Sequence, residues 1–389
     1  MPTHDPVKFV TDLSAKLATR SRHVCAFLGA GAARACGLPD IAQLQEGVLA
    51  HLEDEERAAL EQQLSGRDLE QALSRLRRIA ALLSDDQQVD GLTAADAGGL
   101  DGAVCRAVVT ELDLDAADLD PMLALAAWAV RADYNLPLEL FTVNYDLLIE
   151  TALERRRVPY FDGFIGSLQA RFHTELVETP PGPGSESVPP FFTRLWKLHG
   201  SVNWAWADAQ QIVRLGQPVG EGDAAAIYPS DAKYEESRRV PFVVLHDRFR
   251  RALHQPETLA LVTGYSFGDD HLNELMFDAA ARRERSELVA FCHSEIPGRL
   301  AERALTTPNI QAVTGNEAII AGVRGDWAAP DEPAPPGLWQ EGQLALRDFR
   351  HLAGYLARSA TRESDRDPLV RDFLERVVGS THEGTDDDD

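Results

Sequence analysis

The chain has 389 residues, 44% of them hydrophobic and 26% charged. This is enough apolar material for one large or two ordinary domains, and it excludes a disordered or collagen-like polymer. Its 38 Lys and Arg stand against 62 Asp and Glu, a formal charge of −24, which repels a phosphate backbone and removes the counterion release that drives nucleic-acid binding. Direct nucleic-acid binding is therefore not expected.

The longest purely apolar run, 122–130, has nine residues, where a membrane-spanning helix needs about 20. The opening MPTHDPVKFV lacks the apolar centre of a signal peptide, so a cytoplasmic protein without membrane attachment is expected. Cys25, Cys36, Cys105 and Cys292 are widely separated with no C-x-x-C among them. That spacing supplies neither a structural zinc site nor a disulfide framework, and predicts reduced core thiols.

In chain order, HVCAFL (23–28) reads as a short strand ending in Gly29-Ala30-Gly31, with a short helix after it and Gly37-Leu38-Pro39 closing the segment. From 41 to 135 the pattern changes. LQEGVLAHLE and DLEQALSRLRRIAALL carry apolar residues three and four apart, which predicts a helical insertion. Between 85 and 130 it holds ten acidic residues and one base, Arg106, a solvated face or a partner surface. Strand patterns return at 138–146, 194–204, 257–267 and 287–292. Strands alternating with helices predict an α/β domain with a mainly parallel sheet. The Pro- and Gly-rich stretch 177–190 is expected to be a mobile surface loop, and its place before a motif strand suggests a lid. The resulting division is 1–40 with 136–326 as the α/β domain, 41–135 as the insertion, 327–341 as a Pro-rich linker, 342–379 as two amphipathic C-terminal helices, and 380–389 as an acidic tail.

Four segments carry possible chemistry. Gly29, Ala30 and Gly31 after a strand allow a backbone to approach a phosphate, or form no more than a tight strand-to-helix turn; Arg34 departs from the G-x-G-x-x-G dinucleotide fingerprint. Asn144 and Asp146 of TVNYD sit where an apolar strand gives way to a helix, which is where open α/β sheets bind ligands, although such residues also cap helices. In KLHGSVNW, Gly200 lets the backbone turn and His199 face a cleft. In GYSFGDDHLNE, Ser266 and Asp269 have capping-box spacing, and the run 269–271 reads as a helix start.

GAGAARACGLP, FTVNYD, KLHGSVNW and VTGYSFGDDHLNE, in this order, resemble the sirtuin-like domain of bacterial anti-phage defence proteins over about residues 22–325. The resemblance implies a Rossmann-like α/β sheet that binds NAD. Gly29, Ala30 and Gly31 would then cradle the pyrophosphate, Asp146 would face the nicotinamide end, and Gly264 and Ser266 would hold the phosphate or ribose on the adenosine side. Asn144 and His199 match the family's essential Asn and His. Ala33 stands where sirtuins usually carry Ser, and the four-cysteine zinc module of protein deacetylases is missing, so no zinc is expected.

On chemical grounds a neutral imidazole takes a proton from water or a ribose hydroxyl, and an Asn orients both without adding charge. Without a zinc module the acceptor implied is water, giving nicotinamide and ADP-ribose. Protein deacylation or mono-ADP-ribosylation by the same two residues is the second possibility, and a non-catalytic NAD or ADP-ribose sensor the third. The resemblance is closest to stand-alone subunits that work beside a HerA-type hexameric ATPase. Control by assembly, as a homo-oligomer and with such a partner, is therefore expected.

Overall fold

The computed structural model describes residues 2–84, 87–179, 188–189, 191–207, 211–220, 225–227, 240–330 and 337–359. The chain enters through β1 (Thr3–His4) and α1 (Pro6–Leu17), then β2 (Val24–Leu28) and α2 (Ala30–Arg34). Five helices follow: α3 (Ile41–His51), α4 (Asp54–Leu64), α5 (Leu69–Leu82), α6 (Ala94–Glu111) and α7 (Asp120–Arg131). Asp40, Asp68 and Thr93 start three of them by accepting backbone N–H groups of the first turn.

After β3 (Glu139–Thr142) and α8 (Leu148–Arg155) come β4 (Tyr160–Phe161), β5 (Phe164–Ile165), β6 (Gln169–Phe172) and α9 (Thr174–Glu178). Then come β7 (Thr193–Lys197), β8 (Gly200–Trp206), β9 (Ile212–Leu215), β10 (Ala225–Ile227) and α10 (Phe242–Leu253). The α/β alternation resumes with β11 (Leu259–Thr263), α11 (Asp270–Arg282), β12 (Glu287–Phe291), α12 (Gly298–Thr306) and β13 (Ile310–Val313). An antiparallel hairpin, β14 (Glu317–Ile320) and β15 (Val323–Trp327), precedes a short β16 (Trp339–Gln340) and β17 (Gln343–Leu344) pair and α13 (Phe349–Ser359).

Among the described residues ten strands make one sheet, in the order β1-β15-β14-β13-β12-β11-β2-β3-β7-β4. It is parallel from β13 to β4. Its central strands are apolar on both faces. Val24, Ala26 and Leu28 of β2 pack with α1, α8 and α13, whereas Cys25 and Phe27 pack with α10, α11 and α12. Leu140 and Phe141 of β3 divide in the same way. This is the pattern of a parallel sheet covered by helices on both sides, and the α/β, Rossmann-like fold expected from the sequence is what the chain adopts.

The insertion is not a detached body. Leu44, Val48, Leu60, Leu69, Leu76, Val104 and Val108 join the same core as Val24 and Leu28. The helix α13 belongs to that core as well, through Phe349, Leu352 and Leu356.

Three expectations change. The strand pattern at 194–204 divides at a turn where Gly200 takes φ +88°. Its second half, β8, opens a separate antiparallel sheet, β10-β8-β9-β6-β5, that the pattern alone does not distinguish from a continuing strand. The first C-terminal helix begins only at Phe349, because 343–344 pair as a strand and Ala345–Arg347 form a 3-10 turn. The loop expected at 177–190 starts later, since α9 runs through Glu178. Most of that loop, the second C-terminal helix and the acidic tail lie outside the described residues. Among the described residues no helix is long and apolar enough to cross a membrane.

Candidate active site

Four neighbouring parallel strands end at one level. Thr263 pairs with Leu28, Leu28 with Thr142 and Thr142 with Lys197, so the loops after β11, β2, β3 and β7 leave the same edge of the sheet side by side. By order of appearance in the chain, the strands β7-β3-β2-β11-β12-β13 run 3-2-1-4-5-6, and the order reverses between β2 and β11. In open α/β sheets the crevice outside the carboxyl ends of the strands at that reversal is where ligands bind.

The two loops flanking the reversal are packed backbone against backbone. The Gly29 N–H donates to Thr263 O (3.0 Å) and the Gly31 N–H to Gly264 O (2.8 Å). A Cβ on Gly29 would lie 2.5 Å from Gly264 O, and one on Gly31 2.7 Å from Gly264 Cα. Gly264 takes φ +64°, and a Cβ there would lie 2.3 Å from Ala32 N. Glycine is thus required at all three positions by the contact between turns, and the Gly31 N–H is already engaged. Ala30 and the buried Ala33 continue into α2.

Beside this pair, the Asn144 side chain bridges two strands' loops: its Nδ2–H donates to Gly29 O (3.1 Å), while its own N–H donates to Thr142 Oγ1 (3.0 Å). The Thr142 hydroxyl donates in turn to Leu28 O (2.9 Å). Asp146 is buried and its Oδ1 accepts the Leu148 N–H (3.0 Å), the helix-capping role that the sequence also allows. Burial raises its carboxyl, against the pull of Lys197. Lys197, itself buried, donates to the carbonyls of Tyr145 (3.3 Å) and Asp146, to Glu150 (2.9 Å) and to Ser201 (2.8 Å). It staples the Asn144 loop to the start of β8.

His199 stands at the turn between the two sheets, 4% exposed. Its backbone is fixed by the Leu198 N–H on Thr142 O (2.9 Å). Neither ring nitrogen has a hydrogen-bond partner among the described residues. Asp269 Oδ2 lies 3.6 Å from His199 Nε2, outside hydrogen-bond reach but well inside the range of charge attraction. The His246 ring is 6.3 Å away centroid to centroid, and the exposed His271 stacks beyond it at 5.9 Å. Burial, then His199 and His271, push His246 down to about 4. Its ring is therefore neutral near pH 7, and its Nε2–H donates to Leu198 O (3.3 Å).

Two acidic residues here were not assigned to the site by their local pattern, which marks Asp269 only as part of a helix start. Asp269, not Ser266, caps α11: its Oδ1 accepts the N–H groups of His271 (2.9 Å) and Leu272 (3.2 Å), while Ser266 is exposed at the crevice edge. Burial raises the Asp269 carboxyl, but His199 and those N–H groups hold it below the usual range. Glu70, from α5 of the insertion, accepts the hydroxyl of Tyr145 (2.8 Å). Burial raises its carboxyl and the charge of His199 opposes the rise. Sequence spacing would not have revealed either carboxylate's nearness to the site, because they come from different elements, α5 and the head of α11.

The arrangement leaves polar groups open at the crevice. Buried polar atoms without partners are rare in folded proteins. At this edge both His199 nitrogens and the Thr263 hydroxyl are of that kind among the described residues. The four cysteines are buried free thiols, and no group of three or more His, Cys, Asp or Glu among the described residues is placed to hold a metal ion.

The family described as SIR2-like domain matches residues 138–313, from the start of β3 to the end of β13. The match spans the Asn144, His199 and Gly264 motifs, with the glycine turn and the insertion lying before it. It supports a sirtuin-like relationship, implies the use of NAD and suggests an NAD-dependent enzyme. No curated protein matches the chain.

Proposed function

We propose that the protein hydrolyses NAD to nicotinamide and ADP-ribose in the crevice beside the Gly29 and Gly264 turns, with His199 as general base and Asn144 orienting water and ribose. The observation that carries this reading is the meeting, at the strand-order reversal, of the Asn144 and His199 loops with the two glycine turns. A nicotinamide-binding sirtuin-like site thereby gains a buried imidazole with both nitrogens open.

The bond from ribose to the cationic nicotinamide breaks with its electron pair going to the ring nitrogen, which becomes neutral. Nicotinamide is a good leaving group, so the protein's main tasks are to support an oxocarbenium-like sugar and to guide the acceptor. Water attacks the sugar carbon as His199 removes a proton from it. Asn144, held on Gly29 O, supplies both a donor and an acceptor without charge. Gly29, Ala30 and Gly31 bring backbone close to the pyrophosphate; Asp146 is assigned to the nicotinamide side, and Gly264 and Ser266 to the adenosine side. Water is preferred over an acyl-lysine because the four-cysteine module of protein deacetylases is missing from this sequence.

From the resemblance, we assign the reaction to anti-phage defence, draining cellular NAD during infection. Such an activity needs restraint in healthy cells, which is the reason for proposing a homo-oligomer and a HerA-type hexameric ATPase as its controls. The test is NAD consumption by the purified protein, alone and with such an ATPase, following nicotinamide and ADP-ribose. Wild type is expected to release both in equal amounts, and Asn144→Ala and His199→Ala to release neither while remaining folded. NAD that survives every condition while still bound would overturn hydrolysis and move the assignment to a deacylase, an ADP-ribosyltransferase or a sensor.

A further inference from the structure

Which nitrogen of His199 is the base follows from its surroundings, an inference that rests on the reading of His199 given above. We propose that Asp269 is a positioning residue that holds a proton on His199 Nε2, leaves the Nδ1 lone pair to take the proton from water, and balances the imidazolium that results.

The carboxylate is anchored before any ligand arrives. Its Oδ1 is tied by the N–H groups of His271 and Leu272 at the head of α11, and the Tyr265 hydroxyl donates to the Asp269 carbonyl (3.3 Å). That leaves Oδ2 as the oxygen nearest His199 Nε2, at 3.6 Å. Closing by a few tenths of an ångström makes a hydrogen bond, and catalytic hydrogen bonds commonly lengthen in ligand-free structures. The acceptor-only carboxylate requires Nε2 to be the donor, so in the neutral ring Nδ1 is bare.

Charge balance asks for the same partner. As the bond from the sugar carbon to the nicotinamide nitrogen breaks, its electron pair leaves with nicotinamide; the water oxygen bonds to that carbon, and the proton from its broken O–H bond goes to Nδ1. One positive charge is thus moved from nicotinamide to a ring only 4% exposed, and a buried cation without a counter-charge is costly. The groups facing His199 are Asp269 from the head of α11, Glu70 from α5 and the neutral His246 from α10. Of these, Asp269 comes within 3.6 Å of a ring nitrogen and is tied to backbone, whereas Glu70 is occupied by the Tyr145 hydroxyl.

Nitrogen-15 spectra of the histidine rings in the full-length protein test this without requiring turnover. Wild-type His199 is expected as the Nε2–H tautomer. In Asp269→Asn the side-chain oxygen keeps the cap, the amide donates to Nε2, and the ring is expected to switch to Nδ1–H. NAD hydrolysis should then fall about 100-fold or more in kcat, with KM within about threefold, and the acid limb of the pH profile should move to lower pH. Asp269→Ser, which also caps a helix, separates capping from charge: it should keep the wild-type Tm and lose kcat to the same degree. An unchanged tautomer in Asp269→Asn, or a loss of rate that follows only Tm or KM, overturns the proposal. A tautomer switch in a protein that never hydrolyses NAD would sustain the positioning role and refute the hydrolase reading; the reverse combination would do the opposite.

Discussion

The end of the sheet opposite the crevice holds a buried charge whose removal should be costly. Glu139, at the start of β3, has no exposed surface. It accepts Arg248 Nε–H (2.8 Å), Trp196 Nε1–H (2.7 Å) and His23 Nε2–H (2.9 Å). Those donors come from α10, from β7 and from the residue before β2, so one carboxylate ties three adjacent strands and a helix together. Burial alone would raise this carboxyl, but Arg248 and His23 outweigh burial and hold it at about 2 against an ordinary 4.5. At about 1.4 kcal/mol per pH unit, this corresponds to about 3 kcal/mol, within the 3–5 kcal/mol or so expected for breaking a buried ion pair.

Glu139→Gln keeps the shape and removes the charge, leaving Arg248 buried without its partner. The expected loss is about 3 kcal/mol, a fall in Tm of about 4 °C for a chain of this size, read by circular dichroism at pH 7. Because the folded value lies below the unfolded one, wild type should keep this stabilisation above about pH 4.5 and lose it as the pH falls towards about 2. Glu139→Gln should lack that part of the acid dependence. The double replacement Glu139→Leu with Arg248→Met should recover much of the loss, since no charge is then left unpaired. A Tm within about 1 °C of wild type for Glu139→Gln, or additive losses in the double variant, would refute the reasoning.

Gly264→Ala places a Cβ 2.3 Å from Ala32 N at a φ of +64°, so it should cost more than about 2 kcal/mol and abolish NAD binding, measured together by thermal shift and calorimetry. Tyr145→Phe removes the donor to Glu70 next to Asn144; it should cost about 1 kcal/mol and lower kcat more than KM in a steady-state NAD assay. The thiols of Cys36, Cys105 and Cys292 are pushed up to about 12 by burial, and Cys25 is raised in the same way. Iodoacetamide should therefore leave all four unmodified in the native protein and label all four in guanidinium, as counted by intact mass.

The sequence made the Rossmann-like sheet legible because β2, β3, β11 and β12 are buried on both faces and, apart from Glu139 and Glu287 at the starts of β3 and β12, appear as short, mainly apolar runs followed by loops. The change of sheet at His199 was marked only in part. Gly200 signalled a turn, but apolar and polar residues mix alike on both sides of it, so the pattern does not show that the chain leaves one sheet for another at that glycine, whose φ is +88°. Asn144 and His199 were readable because each follows a strand directly, and parallel register then brings their loops together without further information. Glu70 and Asp269 were not readable. Asp269 looks like any helix-capping Asp until β7 places His199 beside it, and Glu70 looks like a solvated residue in the first turn of an amphipathic helix until the insertion folds onto Tyr145. The surroundings of His199, the proposed base, therefore include residues from α5 and α11 that join it only through tertiary packing. The insertion, sharing its core with β2 and holding Tyr145 beside Asn144, links the position of those helices to the geometry of the catalytic loop.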